Sequence, residues 1–206
     1  KPRATSIPKS LLTLDPQEVI NDPDIDVVVE VIGGIEPARS LILSAISQGK
    51  SVVTANKAVI ARHGEEIASA AKSSGVYVLI EAAVGGGIPI IEPLKQSLGG
   101  NRVQKVSGII NGTTNYILSR ISKEGAAFKD VLKEAQELGY AEASPEADVE
   151  GFDAADKIAI LSSLAFGGTI NRADIPTKGI TSLNLRDVEY ANQLGYEVKL
   201  LAVAER

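Results

Sequence analysis

Apolar and polar positions along the first hundred residues follow two alternating rhythms. Ile25-Asp26-Val27-Val28-Val29-Glu30-Val31-Ile32 is a β-branched run closed by Gly33-Gly34, the pattern of a buried strand that ends in a tight turn. Pro37 then stands near the start of a helix running to about residue 48, with Leu41, Leu43, Ala45 and Ile46 as its apolar positions and Gly49 as its stop. Ser51-Val52-Val53-Thr54 predicts a second strand, residues 58–73 a second helix with Gly75 beyond it, and Val76-Tyr77-Val78-Leu79-Ile80 a third strand. Gly85-Gly86-Gly87 follows, and then a helix over residues 89–98. Three strand–turn–helix units in succession predict an open, parallel, doubly wound α/β sheet.

The rhythm changes after Gly99-Gly100. Residues 103–110 predict a strand and 113–123 a helix. A further helix over 128–138 is closed by Gly139, and a polar loop over 141–150 leads to an apolar helix over 152–166. A last helix over 186–194 precedes a strand within residues 197–206. This pattern places a domain boundary near residue 100, dividing the chain into 1–100 and 101–206, with no internal repeats and no low-complexity segment.

Composition narrows the function classes. The 206 residues carry 21 Lys and Arg against 26 Asp and Glu, a net charge of −5, which argues against a nucleic-acid or anionic-membrane binder. Cys is absent, so disulfides, thiolate metal sites and cysteine nucleophiles are excluded, and a reducing compartment fits. No apolar run approaches the length of a membrane span. The chain begins Lys1-Pro2-Arg3 without an initiator Met or a signal-peptide pattern, and stops inside its last expected strand; both ends read as cuts in a longer protein.

In a doubly wound sheet, ligands bind beyond the carboxyl ends of the strands. Three loops take that place here: Gly33-Gly34, Thr54-Ala55-Asn56-Lys57, and residues 82–87. No G-x-G-x-x-G follows a strand, and residues 1–23 contain no strand, Gly-rich loop and helix in sequence, so a phosphate cradle belongs ahead of residue 1. Lys57 is either a surface lysine leading a helix or a cation for a phosphate or carboxylate. Glu81 closes an apolar strand, where a carboxylate needs a partner; a structural ion pair and a cation site explain it equally. The bend Ala83-Val84-Gly85-Gly86-Gly87-Ile88 beside it exposes backbone carbonyls, and carbonyls with one carboxylate form an oxygen-only metal site.

In the second half, Asp153 and Lys157 stand one helical turn apart, either as an ordinary stabilising pair or as a lysine proton shuttle held among Glu142, Glu146, Asp148 and Glu150. Asn111-Gly112-Thr113-Thr114-Asn115 joins a strand to a helix, where Asn111 or Thr113 makes a good N-cap and free N–H groups suit a carboxylate. His63, the single histidine, reads as solvent-exposed and non-catalytic.

Several segments taken together resemble the homoserine dehydrogenase family. They are Glu30-Val31-Ile32-Gly33-Gly34, Val53-Thr54-Ala55-Asn56-Lys57, Glu81 through Pro89, Gly108 through Leu118, Leu138-Gly139-Tyr140-Ala141-Glu142, and Gly151 through Lys157, in the family's order from about residue 22 to 206. The resemblance implies a partial doubly wound, Rossmann-like NAD(P)-binding domain over 1–100, followed by an α+β catalytic, substrate-binding and dimerisation domain over 101–206. The implied reaction is reversible hydride transfer between L-homoserine and L-aspartate 4-semialdehyde with NADP or NAD, in threonine and methionine biosynthesis. Lys157 corresponds to the proton donor and acceptor, with Asp153 beside it. Lys57 corresponds to a lysine between nicotinamide and substrate. Glu142 corresponds to the residue binding the substrate amino group, and Gly112, Thr113 and Tyr140 to further substrate contacts. Gly33 and Gly34 lie beside the cofactor by the same resemblance, and Glu81 with the carbonyls of Val84, Gly86 and Ile88 matches a sodium site. A cytoplasmic homodimer is implied as well.

The family's N-terminal Gly-rich loop and the segment after the last strand have no counterpart in this sequence. Alternatives from the residues are another two-domain NAD(P)-dependent dehydrogenase, or a non-catalytic truncated scaffold of the same fold. Phosphorylating semialdehyde dehydrogenases are excluded because they need a cysteine.

Overall fold

A computed structural model describes residues 7–206; the expectations attached to Lys1-Pro2-Arg3, and to the opening of the 1–23 segment, lie outside the described residues. One compact unit runs to Ala83 and a second comprises Val84–Arg206. Residues 84–100, placed with the first half from the sequence, thus belong to the second unit. The reason is local packing: the helical turn Pro93–Ser97 lies against a helix that begins at Phe152.

The first unit is built from α1 (Pro16–Asn21), β1 (Val27–Glu30), α2 (Ala38–Ser47), β2 (Ser51–Thr54), α3 (Lys57–Ser74) and β3 (Val78–Leu79). Its three strands are parallel in the order β1-β2-β3, with Val28 opposite Val52 and Val52 opposite Val78. β1 and β2 each feed a helix that returns the chain to the amino end of the next strand, as a parallel sheet requires. Val52, Thr54 and Glu30 lie on one face and are buried, with Ile42, Ala45 and Ile46 of α2 and Val59, Ile67 and Ala71 of α3 in the same core. The opposite face carries Val27, Val29 and Leu79, all exposed. The chain is therefore a mixed α/β protein with a Rossmann-like parallel sheet. The third strand is two residues long rather than five. Its chain leaves the sheet after Leu79 and enters a 3-10 turn at Glu81–Ala83, where the Ala83 N–H donates to the Ile80 carbonyl.

The second unit contains β4 (Lys105–Gly108), α4 (Gly112–Glu124), α5 (Phe128–Glu137), α6 (Glu146–Val149), α7 (Phe152–Phe166), α8 (Leu185–Gln193) and β5 (Ala202–Glu205). β4 and β5 pair antiparallel, with Val106 opposite Ala204. Ile117, Leu118 and Ile121 of α4 interlock with Val131 and Ala135 of α5, Val149 of α6 and Val188 of α8, forming one core. Each Ile, Leu or Val side chain among them, when fully buried, contributes about 1.5–3 kcal/mol.

The helix expected over 89–98 is reduced to a π-type turn at Pro93–Ser97, in which the Leu98 N–H reaches the Pro93 carbonyl. Pro93 has no N–H and its ring crowds the preceding turn, which breaks the α ladder. The final strand is four residues because β4 offers four partners. Ahead of it, Val198 and Leu200 pack on the helical core instead of pairing.

Candidate active site

The site forms where β4 hands the chain to α4. Asn111 is extended (φ −128°, ψ 120°) and caps α4, its Oδ1 accepting the Thr114 N–H at 2.8 Å. Thr113, on the first turn, is buried and donates from Oγ1 to the Tyr140 carbonyl at 2.7 Å. Tyr140 arrives there because Gly139 takes φ 78°, turning the chain back so that the Tyr140 N–H meets the Ala135 carbonyl at the end of α5. Its ring lies 5.0 Å from that of Tyr116, tilted by 49°.

Asp148 comes from α6 and Asp153 from the first turn of α7. The chain between them passes through Gly151 at φ 81°, a left-handed conformation that side chains rarely adopt. Asp153 is 5 % exposed. Its Oδ2 accepts from Lys157 Nζ at 2.7 Å and from Asn111 Nδ2 at 2.9 Å. Lys157 Nζ also donates to the Ile110 carbonyl at 2.8 Å. These groups border a cleft of about 520 Å³, lined by Asn111, Gly112, Thr113, Tyr116, Gly139, Tyr140, Asp148, Asp153 and Lys157. Removing one partner of such a buried pair strands the other charge, at a cost of about 3–5 kcal/mol.

Behind the cleft, Tyr116 donates to Glu134 Oε1 at 2.9 Å, and Arg120 Nη1 donates to the same oxygen at 2.5 Å. The Arg120 guanidinium, and then the Tyr116 hydroxyl, hold the Glu134 carboxyl below its ordinary range. Burial first, and the Glu134 carboxylate second, push the Tyr116 phenol up.

Gly112, Thr113, Tyr140, Asp153 and Lys157 are thus brought together around one cleft. Glu142 stands on the exposed loop after Tyr140, with its backbone carbonyl accepting from Gln136 Nε2 at 3.0 Å, and it does not line the cleft. In the first unit, Gly33 and Gly34 form the turn after β1 at φ 82° and 73°, and Lys57 opens α3, half-buried. The buried Glu30 carboxylate accepts from Thr54 Oγ1 at 2.6 Å and from the Ile32 N–H at 2.7 Å, and Asn56 Nδ2 holds the Gly34 carbonyl at 2.7 Å. That network shapes the glycine turn. Glu81 opens the last 3-10 turn of the first unit. In the second, Val84 is buried while Gly86 and Ile88 are exposed. His63 is partly exposed rather than fully so, because it lies along α3 at 3.6 Å from Glu66 Oε2. Among the described residues, no group of three or more His, Cys, Asp and Glu is placed to hold a metal ion.

Three cleft groups lie outside the site residues that the family resemblance implies: the Asn111 amide, expected from the sequence as a helix cap, Asp148, expected among the carboxylates around Lys157, and the Tyr116 ring. Asp148 was one of four acidic residues in a polar stretch, and the signal that separates it is the apolar Val149 beside it, which buries itself and anchors α6.

Comparison with known proteins bears on both units. Residues 89–205 match the family model described as homoserine dehydrogenase, and residues 1–81 match the one described as homoserine dehydrogenase, NAD binding domain. A homoserine dehydrogenase of Synechocystis sp. is 63% identical over 205 residues, covering 100% of this chain and 47% of its own length. Among solved structures, a homoserine dehydrogenase from Thiobacillus denitrificans superposes with a TM-score of 0.92 at 56% identity, over 94% of this chain and 45% of that one. A hyperthermophilic archaeal homoserine dehydrogenase in complex with NADPH superposes with a TM-score of 0.79 at 29% identity, over 95% of this chain and 57% of that one. The chain spans about half the length of the curated relatives it matches.

Proposed function

The chain belongs to the homoserine dehydrogenase family, and on that premise we propose that it carries the substrate-binding and proton-transfer part, with a portion of the cofactor domain, of an NAD(P)-dependent oxidoreductase. The reaction is the interconversion of L-homoserine and L-aspartate 4-semialdehyde, on the route to threonine and methionine. The observation that carries this reading is Lys157, whose ammonium borders the cleft while Asp153 and the Ile110 carbonyl hold it in place.

In the reducing direction the aldehyde carbon gains a hydride and its oxygen takes the carbonyl π electrons. Lys157 gives that oxygen a proton, leaving homoserine and a neutral amine; in reverse, the amine takes the hydroxyl proton. A cation beside the developing alkoxide also stabilises it. Nicotinamide, when bound, supplies or accepts the hydride. Gly33 and Gly34 fit a place beside it, since the space where a Cβ would stand at Gly33 is open and the turn sits at the carboxyl end of β1. Lys57 lies at the next strand end and, by the same family likeness, would stand beside the nicotinamide. Gly112, Thr113 and Tyr140 contact the substrate from the cleft lining; the family likeness assigns its ammonium to Glu142, which stands on the exposed loop after Tyr140, outside that lining. The Glu81 carboxylate and the backbone carbonyls of Val84, Gly86 and Ile88 are oxygen donors of low total charge, the chemistry that a sodium ion would take.

The NADPH-bound archaeal relative supports a nicotinamide cofactor for this chain. Leu201 and Val203, exposed on and beside β5, support a homodimer formed through the second unit's sheet. Among the described residues no helix is long and apolar enough to cross a membrane; a cytoplasmic location rests on the biosynthetic role.

The test is homoserine-dependent NAD(P)⁺ reduction in the parent, in Lys157→Ala and in Lys157→Arg. Arginine keeps the charge opposite Asp153 but does not give up its proton. Both variants are expected to lose about 10²- to 10⁴-fold in kcat. A folded Lys157→Arg protein with parental turnover overturns the assignment.

A further inference from the structure

Asn111 is 5 % exposed, and both ends of its amide are engaged. Oδ1 accepts from the Thr114 N–H and from Thr114 Oγ1, each at 2.8 Å. Nδ2 donates to Asp148 Oδ1 at 2.7 Å and to Asp153 Oδ2 at 2.9 Å. The amide therefore has one permitted orientation: turned over, its oxygen would face two carboxylates and its NH₂ a backbone donor. A helix cap needs only the oxygen, which serine or aspartate supplies equally well. The two donors aimed the other way are superfluous for capping.

Those donors do something else. Two carboxylates from separate helices converge on one nitrogen, and without a donor between them they would repel. Asp153 Oδ2 is also the atom that holds Lys157 Nζ. Asn111 thus stands one hydrogen bond away from the lysine without touching it.

We propose that Asn111 is a positioning residue for the reaction: by bridging Asp148 and Asp153 it fixes the oxygen against which Lys157 is held, and with it the direction in which the lysine meets the cleft. This rests on the role of Lys157 given above. Asn111→Ser keeps the capping oxygen and lacks the two donors. Asn111→Asp keeps the shape and the cap but replaces both donors with an acceptor.

The measurements are kcat and KM for homoserine, the melting temperature, and the ¹H–¹⁵N signal of the Lys157 ammonium, assigned by its disappearance in Lys157→Arg. Both variants are expected to lose about 10- to 100-fold in kcat with KM changed far less, since small misplacements of a reacting group cost that much. Asn111→Ser should melt below the parent, having lost two hydrogen bonds to carboxylates, but still fold cooperatively, and its ammonium signal should move or broaden. Retention of kcat in folded variants, or a rise in KM alone with the ammonium signal unmoved, overturns the proposal. If the parent itself turns over no homoserine, the functional reading fails. The signal in Asn111→Ser then decides the positioning role by itself: displaced supports it, unmoved overturns it.

Discussion

Asn56 and Asn111 occupy the same local situation in the two units. Each follows a strand, and each accepts a backbone N–H three residues on, from Val59 at 3.2 Å and from Thr114 at 2.8 Å. They differ in what the amide nitrogen holds. Asn56 Nδ2 donates to the backbone carbonyl of Gly34, whereas Asn111 Nδ2 donates to the carboxylates of Asp148 and Asp153. One device shapes a backbone turn; the other arranges charge. The backbone version suits a turn that presents main chain to a ligand, and the charged version suits a site where a proton moves.

The largest effect that sharpens this contrast comes from glycines near each device. A Cβ on Gly179 would stand 2.2 Å from the Val149 carbonyl oxygen and 2.4 Å from Glu150 Cα, both backbone atoms next to Asp148. Gly179→Ala is expected to cost about 3 kcal/mol or more by forcing α6 aside, and to disturb the Asp148 contact with Asn111. Gly34→Ala meets nothing closer than 3.9 Å and pays only for its φ of 73°, a cost of about 1–2 kcal/mol. Chemical denaturation of both variants checks the order; equal losses would show that close packing around α6 is not what holds the second device.

Next in size is the exchange of amide for carboxylate at the two caps. Asn111→Asp sets a third carboxylate against two others, one of them buried, and should destabilise by about 2–3 kcal/mol. Asn56→Asp loses one hydrogen bond to Gly34 and places an acceptor against an acceptor, a loss of about 1–2 kcal/mol. Both keep the capping oxygen. Denaturant midpoints with unchanged slopes would measure the difference, and an Asn56 variant as costly as its counterpart would break the distinction between shaping a turn and arranging charge.

How far these features could be read in advance depends on the distance over which they act. β2 and α7 fall where the hydrophobic pattern puts them, because a strand of alternating burial and a helix with an apolar middle are decided within a few residues. β3 is shorter than its β-branched run suggests because the chain turns away after Leu79 into the 3-10 turn at Glu81–Ala83, and β5 is shorter than its apolar run because β4 offers four partners. α6 carries no hydrophobic pattern of its own inside a polar stretch, being four residues long with a single buried side chain, Val149. In the cleft, Asp153 and Lys157 are legible as a pair because they are one turn apart. The Asn111 bridge joins residues 37 and 42 positions distant, and no local pattern reports it. Asn111 was visible only as a cap, which is the part of its role that acts locally.

The smallest effect concerns acid stability, and again separates the two units. In the second, Arg120 and then Tyr116 lower the Glu134 carboxyl. In the first, Arg39 is the leading cause for Glu66, and a Ser40 hydrogen bond is the leading cause for Glu36. A carboxyl whose folded value lies below its ordinary value of 4.5 binds its proton more readily when unfolded. Its stabilisation is therefore complete above that value, and is lost as pH falls through the lowered one. Glu134→Gln removes this contribution from the second unit alone, leaving Glu36 and Glu66 to titrate as before. The variant should melt slightly below the parent at neutral pH, and the gap should close as pH falls below the ordinary value of 4.5 and through the lowered one. Glu134 is partly exposed, so the gap is modest and shrinks with added salt. A gap that stays constant across that range would mean that the Tyr116–Glu134–Arg120 contact acts through packing of the ring and guanidinium, with charge contributing nothing measurable.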